Sequence, residues 1–141
     1  MTQLAAKDGR VGIGIALEAT VDTATDAPPL APGDRAIDRA HLARMTHGER
    51  ELEREVLQLY ATQADLLFGR MAQSPPAVVG ALAHTLSGSS RGIGAWQVAD
   101  AAAAVEVDAA GGRDTAASVE RLASAIRAAQ VHIAELVRGT A

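Results

Sequence analysis

The chain has 141 residues, enough for one domain with a hydrophobic core and too few for two of ordinary size. It has no cysteine, which excludes disulfides and thiolate metal sites, and its formal net charge of -4 with scattered basic residues argues against a nucleic-acid footprint. Aromatic residues make up 2% of the chain, so the expected core is aliphatic and rich in alanine, a composition that favours closely packed helices.

No apolar run reaches the roughly 20 residues a membrane span needs, and the first residues lack the order of a secretory signal. A cytoplasmic protein that is neither membrane-bound nor nucleic-acid-bound is therefore expected. The only lysine is Lys7, which removes lysine-dependent catalysis from the body of the chain.

In chain order, residues 1–33 read as an irregular arm or linker that ends in a Thr, Asp and Pro-rich stretch. Within it, residues 10–21 could form a short strand or docking tail. Residues 34–141 form the expected helical domain. Ile37 to Met45 is a short amphipathic helix stopped near His47-Gly48, and Thr46 to Glu49 has capping-box spacing. A long helix follows, with Leu52, Val56, Leu59, Gln63, Leu66 or Leu67 and Met71 as its expected apolar stripe. The charged run Glu49 to Glu55 is its solvated face.

Ser74-Pro75-Pro76 ends that helix and starts the next, with Ser74 as an expected cap. The third helix carries His84 and runs to a bend at Arg91-Gly92-Ile93-Gly94. Ala95 to Ala110 continues as an alanine-rich helix with Val98, Ala102, Val105 and Ala109 on one stripe, closed by Gly111-Gly112. Asp114 or Thr115 caps the last helix, whose stripe is Val119, Leu122, Ile126, Ala129, Ile133 and Leu136. Four substantial helices with short connections predict an all-α fold, an antiparallel up-down four-helix bundle preceded by a short helix and the arm.

At about 100° per residue, Ala77, Gly80, Ala81, Ser87, Gly88 and Arg91 project near His84, while Val78, Val79, Leu82, Leu86 and Ile93 fall on the far side. Such a helix buries its aliphatic face and presents the imidazole on a low surface of small residues. A neutral imidazole is nucleophilic and titrates near physiological pH, which suits it to carrying a phosphoryl group. Gly88, one turn after His84, costs roughly 1 kcal/mol relative to Ala in a helix interior, so its presence points to close approach by a partner. His41, His47 and His132 have no metal-ligand spacing and read as structural or solvated. No metal site is expected.

Two family resemblances compete for this run. Leu86 to Gly94 resembles the glycine turn of short-chain dehydrogenases, Thr-Gly-x-x-x-Gly-Ile-Gly. That turn must follow a buried strand and open a long doubly wound domain, whereas Pro76 to Thr85 has helical periodicity. No Tyr or Lys occurs after Tyr60 to supply that family's downstream pair.

The stretch His84-Thr85-Leu86-Ser87-Gly88-Ser89-Ser90-Arg91-Gly92-Ile93-Gly94-Ala95 closely resembles the signature of histidine-containing phosphotransfer domains, His-x-Leu-Lys-Gly-Ser-(small)-x-x-(aliphatic)-Gly-Ala. Ile37-Asp38 to Leu42, Gly48, Glu51-Leu52 and Val56-Leu57 through Tyr60 are similar to the opening of such domains, and the resemblance spans about residues 37–137. It implies a phosphoryl carrier of a two-component relay rather than an enzyme, with His84 as acceptor. It further implies response-regulator receiver domains and a hybrid histidine kinase as partners. The magnesium sits on the receiver, and this chain, expected to be a monomer, holds no cofactor. Ser87 stands where the family commonly has Lys, and Arg91 is the nearest substitute charge. Glu106 matches a position where related domains carry Gln or Glu near the histidine, and with Gly80, Ala81, Ser87, Gly88 and Arg91 it completes the expected phosphoryl and partner surface. The alternative is a degenerate domain of the same fold that docks signalling partners without being phosphorylated.

Overall fold

In the computed structural model, residues 36–139 are described, and they fold into five helices: α1 (Arg39–Met45), α2 (Arg50–Met71), α3 (Pro76–Ile93), α4 (Trp96–Ala110) and α5 (Ala116–Gly139). The expectations for residues 1–33 lie outside the described residues. Among those described there is no strand, and no helix is long and apolar enough to cross a membrane.

Helix α3 packs most extensively on α4, α4 on α5, and α2 on both α3 and α5, while α1 lies against α3. The contacts among the four longer helices thus close on themselves. Their shared core is aliphatic: Ile37, Leu86, Leu122, Val98 and Val105 are almost fully excluded from solvent, with Leu42, Leu57, Ala83, Ala101 and Ala102 beside them. Each buried Leu or Ile contributes roughly 1.5–3 kcal/mol, and the alanines let α3 and α4 approach closely.

The turns after α1, α3 and α4 all close with the same six-to-one hydrogen bond. Gly48 N–H donates to Ala43 O at 2.8 Å, Ala95 N–H to Ser90 O at 2.8 Å, and Arg113 N–H to Asp108 O at 2.9 Å. In each the chain passes through a positive φ, at His47 (55°), Gly94 (85°) and Gly112 (69°). That is the Schellman way of satisfying the last carbonyls of a helix. At Gly94 the requirement is double, because an added Cβ would also lie 3.0 Å from Asp38 Cβ and 3.1 Å from Asp38 O. The expected bend is therefore a tight helix end against which α1 docks.

The joint at α1 is polar. Asp38 caps α1 by accepting from His41 N–H at 3.1 Å, and its other oxygen accepts from Trp96 Nε1–H at 2.9 Å. His41 Nε2 lies 3.1 Å from Gly92 O, and its ring meets Trp96 edge-on with centroids 5.0 Å apart. Burial raises the Asp38 pKa, but the Trp96 and His41 hydrogen bonds and the nearby His41 and Arg44 charges outweigh it, so the carboxyl sits below its ordinary value. His132 Nδ1 accepts from Ile37 N–H at 3.0 Å and fixes the chain where it enters the domain.

Three local expectations are corrected. Thr46 does not open α2; it is buried at the C-terminus of α1, where its hydroxyl donates to Leu42 O at 2.9 Å and to Glu53 Oε2 at 3.3 Å. Glu49 occupies the N-cap of α2 without a side-chain bond, and Glu51 and Glu53 in the first turn complement the helix dipole instead. Ser74 does not cap α3; its hydroxyl donates back to Arg70 O at 2.7 Å, and Pro75 is the N-cap. The inward face of α2 is Leu57, Tyr60, Ala64, Leu67 and Met71, so the expected stripe holds at Leu67 and Met71 but is displaced by about one residue before them, which leaves Leu59 exposed; of the two leucines at 66 and 67, Leu66 is the exposed one. For the last helix, Asp114 Oδ1 accepts from Ala116 N–H at 3.0 Å, and the inward residues are Leu122, Ile126, Ala129 and Ile133, with Val119 and Leu136 partly buried.

Candidate functional site

Helix α3 inserts Val79, Ala83, Leu86, Ser90 and Ile93 into the core, and this periodicity turns His84 outward. The His84 side chain is 76% exposed. On the next helix, Glu106 lies at the rim of the α3/α4 contact and brings Oε2 to 3.0 Å from His84 Nδ1. A carboxylate oxygen accepts, so Nδ1 carries the hydrogen, and in the neutral ring the lone pair is then on Nε2. The pair therefore fixes both the tautomer and the plane of the ring.

Beside His84 lies an open groove of about 550 Å³ between α3 and α4, lined by Pro76, Ala77, Gly80, Ala81, Thr85, Ala109 and Ala110 together with the histidine and Glu106. Its walls are short side chains. A Cβ at Gly80 would stand 3.6 Å from Ala109 Cβ, an ordinary contact, whereas nothing lies within 4 Å of a Cβ placed on Gly88. The fold itself does not demand glycine at position 88. The space it leaves is open to a partner at the exposed surface one turn beyond the imidazole.

Of the expected surface, the structure brings His84, Gly80, Ala81 and Glu106 around one groove, with exposed Gly88 and Arg91 following along α3. Ser87 is the exception. It is buried, 7% exposed, and its hydroxyl donates to Ala99 O at 3.1 Å, so it ties α3 to α4 and offers no free donor to an incoming anion. Rotation of about 60° from His84 carries position 87 toward the neighbouring helix rather than into solvent. Arg91 reaches toward this hydroxyl, with Nη1 at 3.5 Å from Ser87 Oγ, which leaves its guanidinium as the basic group on this stretch of α3. Val78, expected on the buried side, is exposed.

A feature that sequence reasoning did not single out is the Tyr60 hydroxyl, 2.6 Å from Ser90 Oγ in the interior on the far side of α3. The signal was present in the serine-rich run, since Ser90 falls on the buried face six residues after His84. Desolvation pushes the Tyr60 phenol up to about 12, with the Ser90 hydrogen bond acting in the opposite direction. Among the described residues no group of three or more His, Asp or Glu is placed to hold a metal ion.

Comparison with protein-family models, with curated proteins and with solved structures finds no match to this chain.

Proposed function

We propose that this chain is a histidine phosphotransfer protein of a two-component phosphorelay, in which His84 accepts a phosphoryl group from a receiver-domain aspartate and passes it to a second receiver. The observation that carries the reading is an exposed imidazole whose Nδ1 is held 3.0 Å from Glu106 on a groove lined by small residues. In this reading the four longer helices are an antiparallel up-down four-helix bundle that serves as a rigid stalk for the histidine. The protein works in the cytoplasm, and its partners are receiver domains and a hybrid histidine kinase.

The chemistry follows from the ring geometry. The Nε2 lone pair attacks the phosphorus of an aspartyl phosphate in line; the new P–N bond forms as the P–O bond to the aspartate breaks, and the carboxylate leaves. The product ring carries a positive charge with its hydrogen on Nδ1, where Glu106 faces it, so no proton need move at the moment of transfer. Return to a receiver aspartate reverses these steps. Phosphoryl transfer depends mainly on positioning and on neutralising charge at the equatorial oxygens. The receiver supplies most of that with its bound magnesium, and Arg91 is placed to add a cation from this side. The chain acts as a carrier, taking its phosphoryl group from outside rather than from a nucleotide.

The test is phosphoryl transfer from an acetyl-phosphate-loaded receiver domain to the native chain and to His84→Gln, with detection of acid-labile phosphohistidine. Label on the native chain that disappears in the variant supports the proposal. If several receivers load neither protein, the reading is overturned in favour of a docking adaptor of the same fold.

A further inference from the structure

The second heptad stripe of α2 is only partly used by the fold: Val56 packs against the core, while Leu59 and Leu66 are left in solvent. Leu52, Val56, Leu59, Gln63, Leu66 and Arg70 recur at alternating spacings of four and three, the period of a coiled-coil seam. The inward stripe, Leu57, Tyr60, Ala64, Leu67 and Met71, runs about 100° away around the helix. Leu59 is 71% exposed and Leu66 53% exposed, the two largest apolar side chains that α2 leaves in solvent. Alongside them runs a groove of about 500 Å³ between α2 and α3, lined by Val56, Leu59, Tyr60, Gln63, Ser89 and Ile93.

Charge along this face is polar in the lengthwise sense. Glu51 and Glu55 lie at its N-terminal end and Arg70 at its C-terminal end, all exposed. A parallel partner would set acid against acid. An antiparallel copy sets Arg70 of one chain beside the Glu51 and Glu55 of the other, twice per pair, with Val56 facing Leu66 and Leu59 facing Gln63 about a two-fold axis near Ala61. Such an isologous contact needs no surface other than this one. Gln63 near its centre is the one uncharged polar residue of the seam, the kind of residue that fixes register in such pairings.

We infer that α2 is a homodimerisation helix, pairing antiparallel with a second copy of this chain through the Leu52, Val56, Leu59, Gln63, Leu66 and Arg70 seam. This replaces the monomer expected from sequence. The helix is about 33 Å long, so six seam positions per copy with the α3 rim of the groove bury on the order of 1,000 Å² in total, the lower bound for a specific dimer. Because the seam flanks α3 on the α2 side and His84 flanks it on the α4 side, the paired form leaves both imidazoles open. The inference does not depend on phosphotransfer.

Sedimentation equilibrium of the full chain tests it. A reversible dimer dissociating in the micromolar range is expected, with Leu59→Glu weakening it by roughly a hundredfold or more while the circular dichroism stays native. Arg70→Glu weakens pairing about tenfold, and Glu55→Arg combined with Arg70→Glu restores it. Because the chain contains no cysteine, single substitutions report direction: Thr62→Cys copies lie across the two-fold axis and are joined by a short bismaleimide, whereas Glu55→Cys copies sit about 20 Å apart and are not. A chain that remains monomeric to about 1 mM, or a dimer indifferent to Leu59→Glu, overturns the inference and leaves the seam to another occupant, such as residues 1–35 or an unrelated protein. Efficient cross-linking of Glu55→Cys overturns the antiparallel arrangement.

Discussion

Two polar pairs sit on α3, six residues apart, and the same helix makes them chemically opposite. His84 meets Glu106 at 3.0 Å with three quarters of its side chain in water; Ser90 meets Tyr60 at 2.6 Å with Ser90 fully excluded and Tyr60 4% exposed. The shorter bond belongs to the pair that can do least. Its phenol is held neutral by the burial that raises it, and its partner Ser90 is closed off from solvent. At the surface the longer bond orients an imidazole without enclosing it. What distinguishes a site from a structural pair here is access, and helical phase alone sets that access.

The sharpest way to break the comparison is His84→Gln, which should remove all phosphohistidine while changing unfolding free energy by less than about 0.5 kcal/mol, as expected for an exposed position; a large stability loss would mean the ring supports the fold. Next in size is the alkaline behaviour of the buried pair. Because folding raises Tyr60 from 10.0 to about 12, the unfolded chain releases its proton first, so stability is retained below pH 10 and falls between pH 10 and 12. The loss should approach roughly 2–3 kcal/mol, and denaturant melts of Tyr60→Phe across that window should lack this component.

A smaller effect is expected from Glu106→Ala, which frees the ring to rotate and removes the charge facing Nδ1. Transfer should slow roughly tenfold, about 1.4 kcal/mol of barrier, and Glu106→Gln, which can still accept from Nδ1–H, should recover part of it. An unchanged rate in both variants would make the contact incidental. Smallest is Gly88→Ala. With nothing within 4 Å of the new Cβ, it should raise thermal stability by up to about 1 kcal/mol through helix propensity, while Gly88→Leu, equally free of internal clashes at its Cβ, should impair transfer. Normal transfer by the Gly88→Leu variant would show that no partner approaches there.

The helical body was legible where Leu, Ile or Val marked the inward face, as in α5 and, apart from Val78, on the buried side of α3. It was misread where the inward face is built from weak signals. In α2, Tyr60 and Ala64 line the core while the stronger hydrophobe Leu59 faces water, so counting leucines chose the neighbouring stripe in the first half of the helix and met the inward one only at Leu67 and Met71. Hydroxyl groups misled in the same way. Thr46, Ser74 and Ser87 each had cap or surface spacing, yet each bonds a backbone carbonyl: Thr46 and Ser74 the one four residues earlier, Ser87 one on the facing helix. The outward position of His84 could be read because the aliphatic residues of α3 cluster on the opposite side and only glycine, alanine and polar residues surround it. Ser87 could not, since a residue 60° from an exposed neighbour turns inward only if another helix stands there.

Trp96 is the only tryptophan in the chain, and its indole sits in the joint where Asp38 and His41 of the first helix meet the start of α4. The protein therefore carries a built-in optical probe at a single, known place. Its emission reports whether the short leading helix is seated, independently of the histidine groove. Undocking of that helix would be visible as a spectral shift with no label added.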